Sequence, residues 1–317
     1  MLLLIAVALT AVSCSGDMEI QNVGKVTNLE SPSLLLTLDS INESISHATS
    51  VRKAPNNGGM TTKDKITIAI ADGKGAYKGG KKGHKLGTTI GTWVGHPIAG
   101  GIAGAVAGAV VVGGLKSYLK YKDIANKKQP DVRRVQDNRT LYNKATNAFG
   151  MIANDSLGTN NLVFIEPSLD QAINVDDSLV SRSLLTDAQI KVGLTHNLMV
   201  AYLDGKIAIQ QDTAAKSPSN QVVKEMFESQ EFITDCINIA SGDTPDTNTD
   251  LPTEVMKRFT DLYEMYVDNC NDVAFIISKY IEVIDASPEL SPEDKENLKY
   301  GFATALFSTN YWSKELK

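Results

Sequence analysis

Apolar positions in the C-terminal half recur at helical spacing. From about Pro252 onward, Val255, Phe259, Leu262, Tyr266, Cys270, Val273, Ile277, Tyr280 and Ile284 fall on one face of a 3.6-residue repeat, which predicts one long amphipathic helix. Thr186-Asp-Ala-Gln189 has the form of a capping box, opening a helix through Leu203. A further helix is predicted from about Asn220 to Ile239. Ser291-Pro-Glu-Asp294 combines an N-cap, a proline at the first helical position and acids in the first turn. The helix it opens carries Leu298, Phe302, Leu306 and Trp312. Strand character is confined to Asn161-Leu-Val-Phe-Ile165. The expected class is mostly α, with a glycine-lined helical hairpin, a C-terminal helical domain and a flexible N-terminal tether.

A different pattern precedes that domain. Gly75, Gly79, Gly83, Gly87, Gly91 and Gly95 recur at every fourth position, and after His96-Pro97 the pattern restarts with Gly100, Gly104 and Gly108 among alanines. Each glycine inside a helix costs about 0.5–1 kcal/mol relative to alanine, so a run this regular is a poor helix by itself. The spacing places the missing side chains along one stripe, where another backbone can approach closely. Proline disfavours helix in the residue before it. The pattern therefore predicts two glycine-lined helices folded back at Gly95-His96-Pro97. The second arm, Ile98 to Leu115, is uncharged and spans about 27 Å as a helix, close to a bilayer's hydrocarbon thickness.

Charge changes the picture at this hairpin. The chain as a whole carries a net charge of -6, with a pI near 5.3, which argues against a general nucleic-acid binder. Yet Lys74, Lys78, Lys81, Lys82 and Lys85 crowd the first arm, and several stand four apart, where like charges repel on a helix. An anionic surface would relieve them: lipid headgroups, an acidic polymer, or the acidic domain after residue 161. The alternative is a solvated face that keeps an apolar segment soluble.

The N-terminus adds a location. Met1 to Ser13 is an uncharged apolar run too short to span a membrane, and reads as a signal peptide. Ala11-Val12-Ser13 obeys the small-x-small rule for cleavage ahead of Cys14. It resembles a lipobox, with Ala11 where that pattern prefers leucine, and Cys14 is then the lipidated residue. Of three cysteines, Cys236 and Cys270 remain, and an oxidising compartment leaves them either to pair or to stay as two buried free thiols. The organisation predicted is a signal peptide (1–13), a tether with one short helix near Leu34–Leu38 (14–63), the hairpin (64–122), a polar connector with a helix near Thr140 to Ala153 (123–160) and an acidic helical domain (161–317).

Catalytic patterns are sparse. His47, His84, His96 and His196 do not stand at zinc-ligand spacing, and neither C-x-x-C, H-E-x-x-H, a G-x-S-x-G elbow nor a Walker loop occurs. His196 is read as a structural hydrogen-bonding residue ahead of a catalytic base. Asp176-Asp177 and Glu293-Asp294 stand where acids favour helix starts. No metal and no cofactor is expected.

The lipobox-like Cys14, the Gly-Ala segment at 75–114, Val192-Gly-Leu-Thr-His-Asn197 and the terminal Tyr311-Trp312 together resemble uncharacterised lipoproteins of Bacteroidota. In these a Gly-x-x-His-Asn motif precedes a helical C-terminal domain ending in a Tyr-Trp pair. The resemblance implies a cell-envelope location and transfers no functional residue. The expected role is that of a non-enzymatic envelope lipoprotein, periplasmic or at the cell surface. Its hairpin packs in or on a membrane or self-associates, and its helical domain binds a protein or glycan partner. A bacteriocin-like membrane-permeabilising effector, and a soluble binding protein with the hairpin buried, are the alternatives.

Overall fold

The computed structural model describes residues 33–48, 60–93, 95–128, 167–207, 218–242, 250–267 and 269–315. Among them the fold is all helix, with no strand. The helices are α1 (Leu34–Ala48), α2 (Thr62–Trp93), α3 (Pro97–Lys128), α4 (Pro167–Ile173), α5 (Asp177–Ser183), α6 (Asp187–Leu203), α7 (Pro218–Glu228), α8 (Gln230–Ser241), α9 (Leu251–Tyr266), α10 (Cys270–Ala286) and α11 (Pro292–Glu315). The helix near Thr140, the strand-like run at 161–165 and the N-terminal signal lie outside the described residues.

The glycine-lined arms form an antiparallel hairpin, α2 against α3. Gly95, at φ +80°, lets the chain turn. Its N–H donates to the Thr92 carbonyl at 3.3 Å while the His96 N–H reaches the Gly91 carbonyl at 2.7 Å. This pair of bonds is the Schellman arrangement, which closes α2. Pro97 then opens α3, where its missing N–H costs nothing.

Around the hairpin the remaining helices form two apolar clusters. One gathers Val110, Val111, Val112 and Leu115 of α3 with Leu198 and Met199 of α6, Met226 of α7 and Phe232 of α8. The other gathers Leu38 of α1, Phe259 and Tyr263 of α9, Tyr280 of α10 and Phe302 of α11. Helices α2 and α11 contribute to both, so they form the seam between them. Helix α11 is buried without a break from Asn297 to Trp312. Gly73 and Gly301 let it close on α2, for a Cβ on Gly73 would stand 3.0 Å from the Gly301 carbonyl oxygen.

The capping box forms as expected, with the Thr186 N–H donating to Gln189 Oε1 at 3.0 Å. Two predicted helices are each broken in two. The run from Asn220 to Ile239 is divided at Ser229, which caps α8. The run from Pro252 to Ile284 is divided at Asn269, whose side chain accepts from the N–H groups of Asn271 and Asp272. Apolar periodicity continues across both breaks, but a side-chain cap offers the backbone another partner. Packing rewards the second break: in one straight helix Phe259 and Tyr280 would lie about 30 Å apart, and here their rings are 5.4 Å apart, edge to face. Helix α1 docks on α9 and α10 through Leu34, Leu38 and Ile45. Asp39 accepts from Arg258 at 2.7 Å, so part of the segment read as a tether belongs to the folded body.

Candidate functional site

Eight of the nine zipper glycines, all but Gly95, face inward along the hairpin. A Cβ on Gly79, Gly83 or Gly87 would stand less than 3.0 Å from the carbonyl oxygens of Gly108, Gly104 and Gly100 respectively, and the reverse holds for each partner. Each step of four residues up α2 matches four down α3. Such reciprocal approach places Cα–H groups against carbonyl oxygens, each contact contributing about 0.5–1 kcal/mol. These contacts offset the helix-propensity cost of the eight helical glycines, about 4–8 kcal/mol. The stripe is thus satisfied within the chain. Gly91 abuts the His96 carbonyl and Gly75 meets Lys116 and Val112, while Gly95 faces open space at the turn.

Below the zipper, where the hairpin enters the body, a polar cluster is fully buried. Asp72 of α2 accepts hydrogen bonds from Ser117 of α3, at 2.7 Å, and from Ser308 of α11. Trp312 Nε1 donates to Ser117 Oγ at 3.1 Å. His196 Nε2 of α6 stands 3.6 Å from Asp72 Oδ2, and both side chains are wholly inaccessible. Burial pushes the Asp72 carboxyl up to about 8, against the opposing pull of both serine hydroxyls and Lys116. Burial likewise pushes the His196 imidazole down to about 4, against its contacts with Asn197 and the Gly113 backbone. Near neutral pH the two groups therefore meet uncharged. The close approach is a neutral contact, which avoids the cost of burying an ion pair.

Asp, His and Ser together invite comparison with a nucleophilic triad, and the bonding order differs. Both serines donate to the acid, and His196 Nδ1 shares its bond with Asn197 Oδ1 at 3.1 Å. Neither hydroxyl has an imidazole to take its proton, which nucleophilic activation requires. What the cluster does is join four helices. The Gly193-x-x-His196-Asn197 motif belongs to the same junction. Gly193 admits the Phe307 ring, where a Cβ would clash, and Asn197 Nδ2 donates to the carbonyls of Ile173 at 2.9 Å and Phe307 at 3.0 Å. Trp312 stacks on Tyr121 at 4.7 Å and meets Tyr311 edge-on. The two motifs, far apart in sequence, thus meet in one place.

The lysines divide. Lys81 pairs with Asp250 at 2.7 Å and Lys82 with Asp235 at 2.6 Å, so these two meet the protein's own acidic helices. Lys74 and Lys78 are half-buried, and Lys85 is exposed. His84 faces Glu293 at 3.2 Å. Cys236 and Cys270 are free thiols packed against different apolar clusters, which is why the considered bridge does not form. Cys14 and the His47 side chain lie outside the described residues.

At its far end the hairpin leaves the body. Trp93, Ile98 and Ile102 are 77%, 79% and 54% exposed, and Thr92, Gly95, His96, Pro97 and Ala99 surround them on the surface. No charged residue occurs between Lys85 and Lys116. The exposure of these three apolar side chains was not legible from sequence, where Ile98 and Ile102 looked like any other apolar position of α3. Asp72 does carry a signal in the sequence: it is an acid on a lysine-rich helix, one turn before Ala76 on the buried side. No family model matches the chain, and neither a curated protein nor a solved structure does.

Proposed function

We propose that this chain is a non-enzymatic cell-envelope lipoprotein, anchored through Cys14, whose helical body clamps a glycine-zipper hairpin and presents its end to the surroundings. The observation that carries the reading is the uncharged tip with Trp93, Ile98 and Ile102 exposed, on a hairpin whose base is buried. Where exposed apolar side chains cluster on a soluble protein, the patch they form is often a functional contact surface.

The body supports this by holding the hairpin from several sides. Helix α3 is long and apolar enough to cross a membrane, yet most of its apolar stretch is buried in the protein. Inserting the whole hairpin would strip Leu198, Met199, Met226 and Phe232 of their α3 partners in the first apolar cluster, at about 1.5–3 kcal/mol for each side chain left exposed to water. This favours a held hairpin over a bacteriocin-like effector that releases both arms.

Metabolic labelling with a fatty acid tests the anchor. Wild-type protein should take up label and sediment with membranes, while Cys14→Ser should do neither. Equal labelling of the two proteins, or an unlabelled wild type, rejects the reading.

A further inference from the structure

We propose that the hairpin tip is a shallow lipid-binding wedge, entering the headgroup and upper acyl layer of an anionic membrane without crossing it. This rests on the envelope reading above and names the partner of its exposed end.

Position and composition argue for lipid. The exposed apolar residues sit at the closed end of the two-helix hairpin, on both sides of the turn at Gly95. Trp93 supplies an aromatic ring that favours the membrane–water boundary, with Ile98 and Ile102 as the aliphatic contribution.

Depth follows from helix geometry. Ile102 lies five residues into α3, so the exposed apolar cap is about 7–8 Å tall. Ile90 and Gly91, only slightly further back on α2, are already buried in the protein. Lys85 is exposed eight residues behind Trp93, about 12 Å along the axis. A cap of that height enters the interfacial layer by about 5–10 Å, well short of the roughly 30 Å of hydrocarbon. Lys85 then stands near the level of the phosphates, where a cation complements anionic headgroups.

The test uses the full chain carrying Cys14→Ser, with vesicles of phosphatidylglycerol and phosphatidylethanolamine. Trp93 is reported by its emission after subtracting a Trp93→Phe protein, which retains the buried Trp312. Vesicles should shift Trp93 emission to the blue and shield it from an aqueous quencher. Bromines placed high on the acyl chain should quench it, and those at the bilayer centre should not. Ile98→Ser with Ile102→Ser should weaken vesicle partition by roughly tenfold or more while leaving the melting temperature unchanged, since both side chains are largely solvated. Three results overturn the proposal: Trp93 remaining open to the aqueous quencher, quenching from the bilayer centre, or protection that rises with protein concentration in the absence of vesicles. The last would mark the tip as a self-association surface. None of these results alters fatty-acid labelling of Cys14, so the wedge can fail while the lipoprotein reading stands.

Discussion

The Asp72 carboxyl meets the His196 imidazole at 3.6 Å, with both groups fully buried where the hairpin joins the helical body. One is held protonated and the other neutral by the same desolvation. The pair thereby links two parts of the molecule without a buried charge, and gives that junction its own dependence on pH.

The sign of that dependence follows from the two shifts. The Asp72 value rises from 3.8 to about 8, so its contribution is fully present below 3.8 and is lost as pH climbs to 8. The His196 value falls from 6.5 to about 4, so its contribution is present above 6.5 and is lost as pH drops to 4. Between about 4 and 6.5 the two slopes oppose and cancel. Above 6.5 only Asp72 acts, and stability should fall by about 2 kcal/mol by pH 8. Asp72→Asn should abolish that alkaline loss and expose the acid-side loss due to His196. Urea unfolding of both proteins across this range measures the difference, and parallel curves reject the account.

Glycine substitutions should separate close approach from helix propensity. Gly83→Ala and Gly104→Ala each drive a methyl group into a backbone carbonyl that cannot rotate away. Each should cost about 1–3 kcal/mol or more. Gly75→Ala meets in part the flexible Lys116 side chain at 3.2 Å, and alanine's better propensity offsets much of the crowding. Its effect should be clearly smaller. Equal unfolding midpoints for all three variants would mean that the helices do not pack through this stripe.

Asn197→Ala removes a donor shared by two backbone carbonyls and the partner of His196 Nδ1. Each buried group left unsatisfied costs about 1–3 kcal/mol. A loss of at least about 2 kcal/mol in thermal or urea unfolding is expected, with fatty-acid labelling of Cys14 unaltered. A change within about 0.5 kcal/mol, as at an ordinary surface site, would show that the junction does not depend on this residue.

Thiol chemistry should follow burial. The Cys236 thiol is pushed far up by burial, and Cys270 is pushed up to about 11 by burial, with Lys314 opposing. Both should react slowly with a disulfide reagent at pH 8 in the native protein and quickly in denaturant, because the thiolate is the reactive form. In the Cys14→Ser protein, two reactive thiols in denaturant also establish that no bridge links them; none would establish that one does.

Much of the hairpin is legible in the sequence. The four-residue glycine period specified two helices in close contact, and Gly95-His96-Pro97 specified the turn between them. The capping box at Thr186 and the start at Ser291-Pro292 likewise stood out, since a cap depends on residues within one turn of each other. The breaks at Ser229 and Asn269 were hidden for the opposite reason. Apolar residues continue at helical spacing through both, and only packing partners from other helices favour the polar cap over a continuous helix.

Local pattern thus determined which segments are helical and that a glycine stripe must meet another backbone, because those properties depend on neighbours three or four residues away. The tertiary structure decided the rest. Asp72 receives its hydroxyl donors from positions 45 and 236 residues onward, and no periodicity encodes a contact of that range. The same packing buried α3 at one end and left Ile98 and Ile102 in water at the other, because burial depends on which helices surround a side chain as well as on how apolar it is.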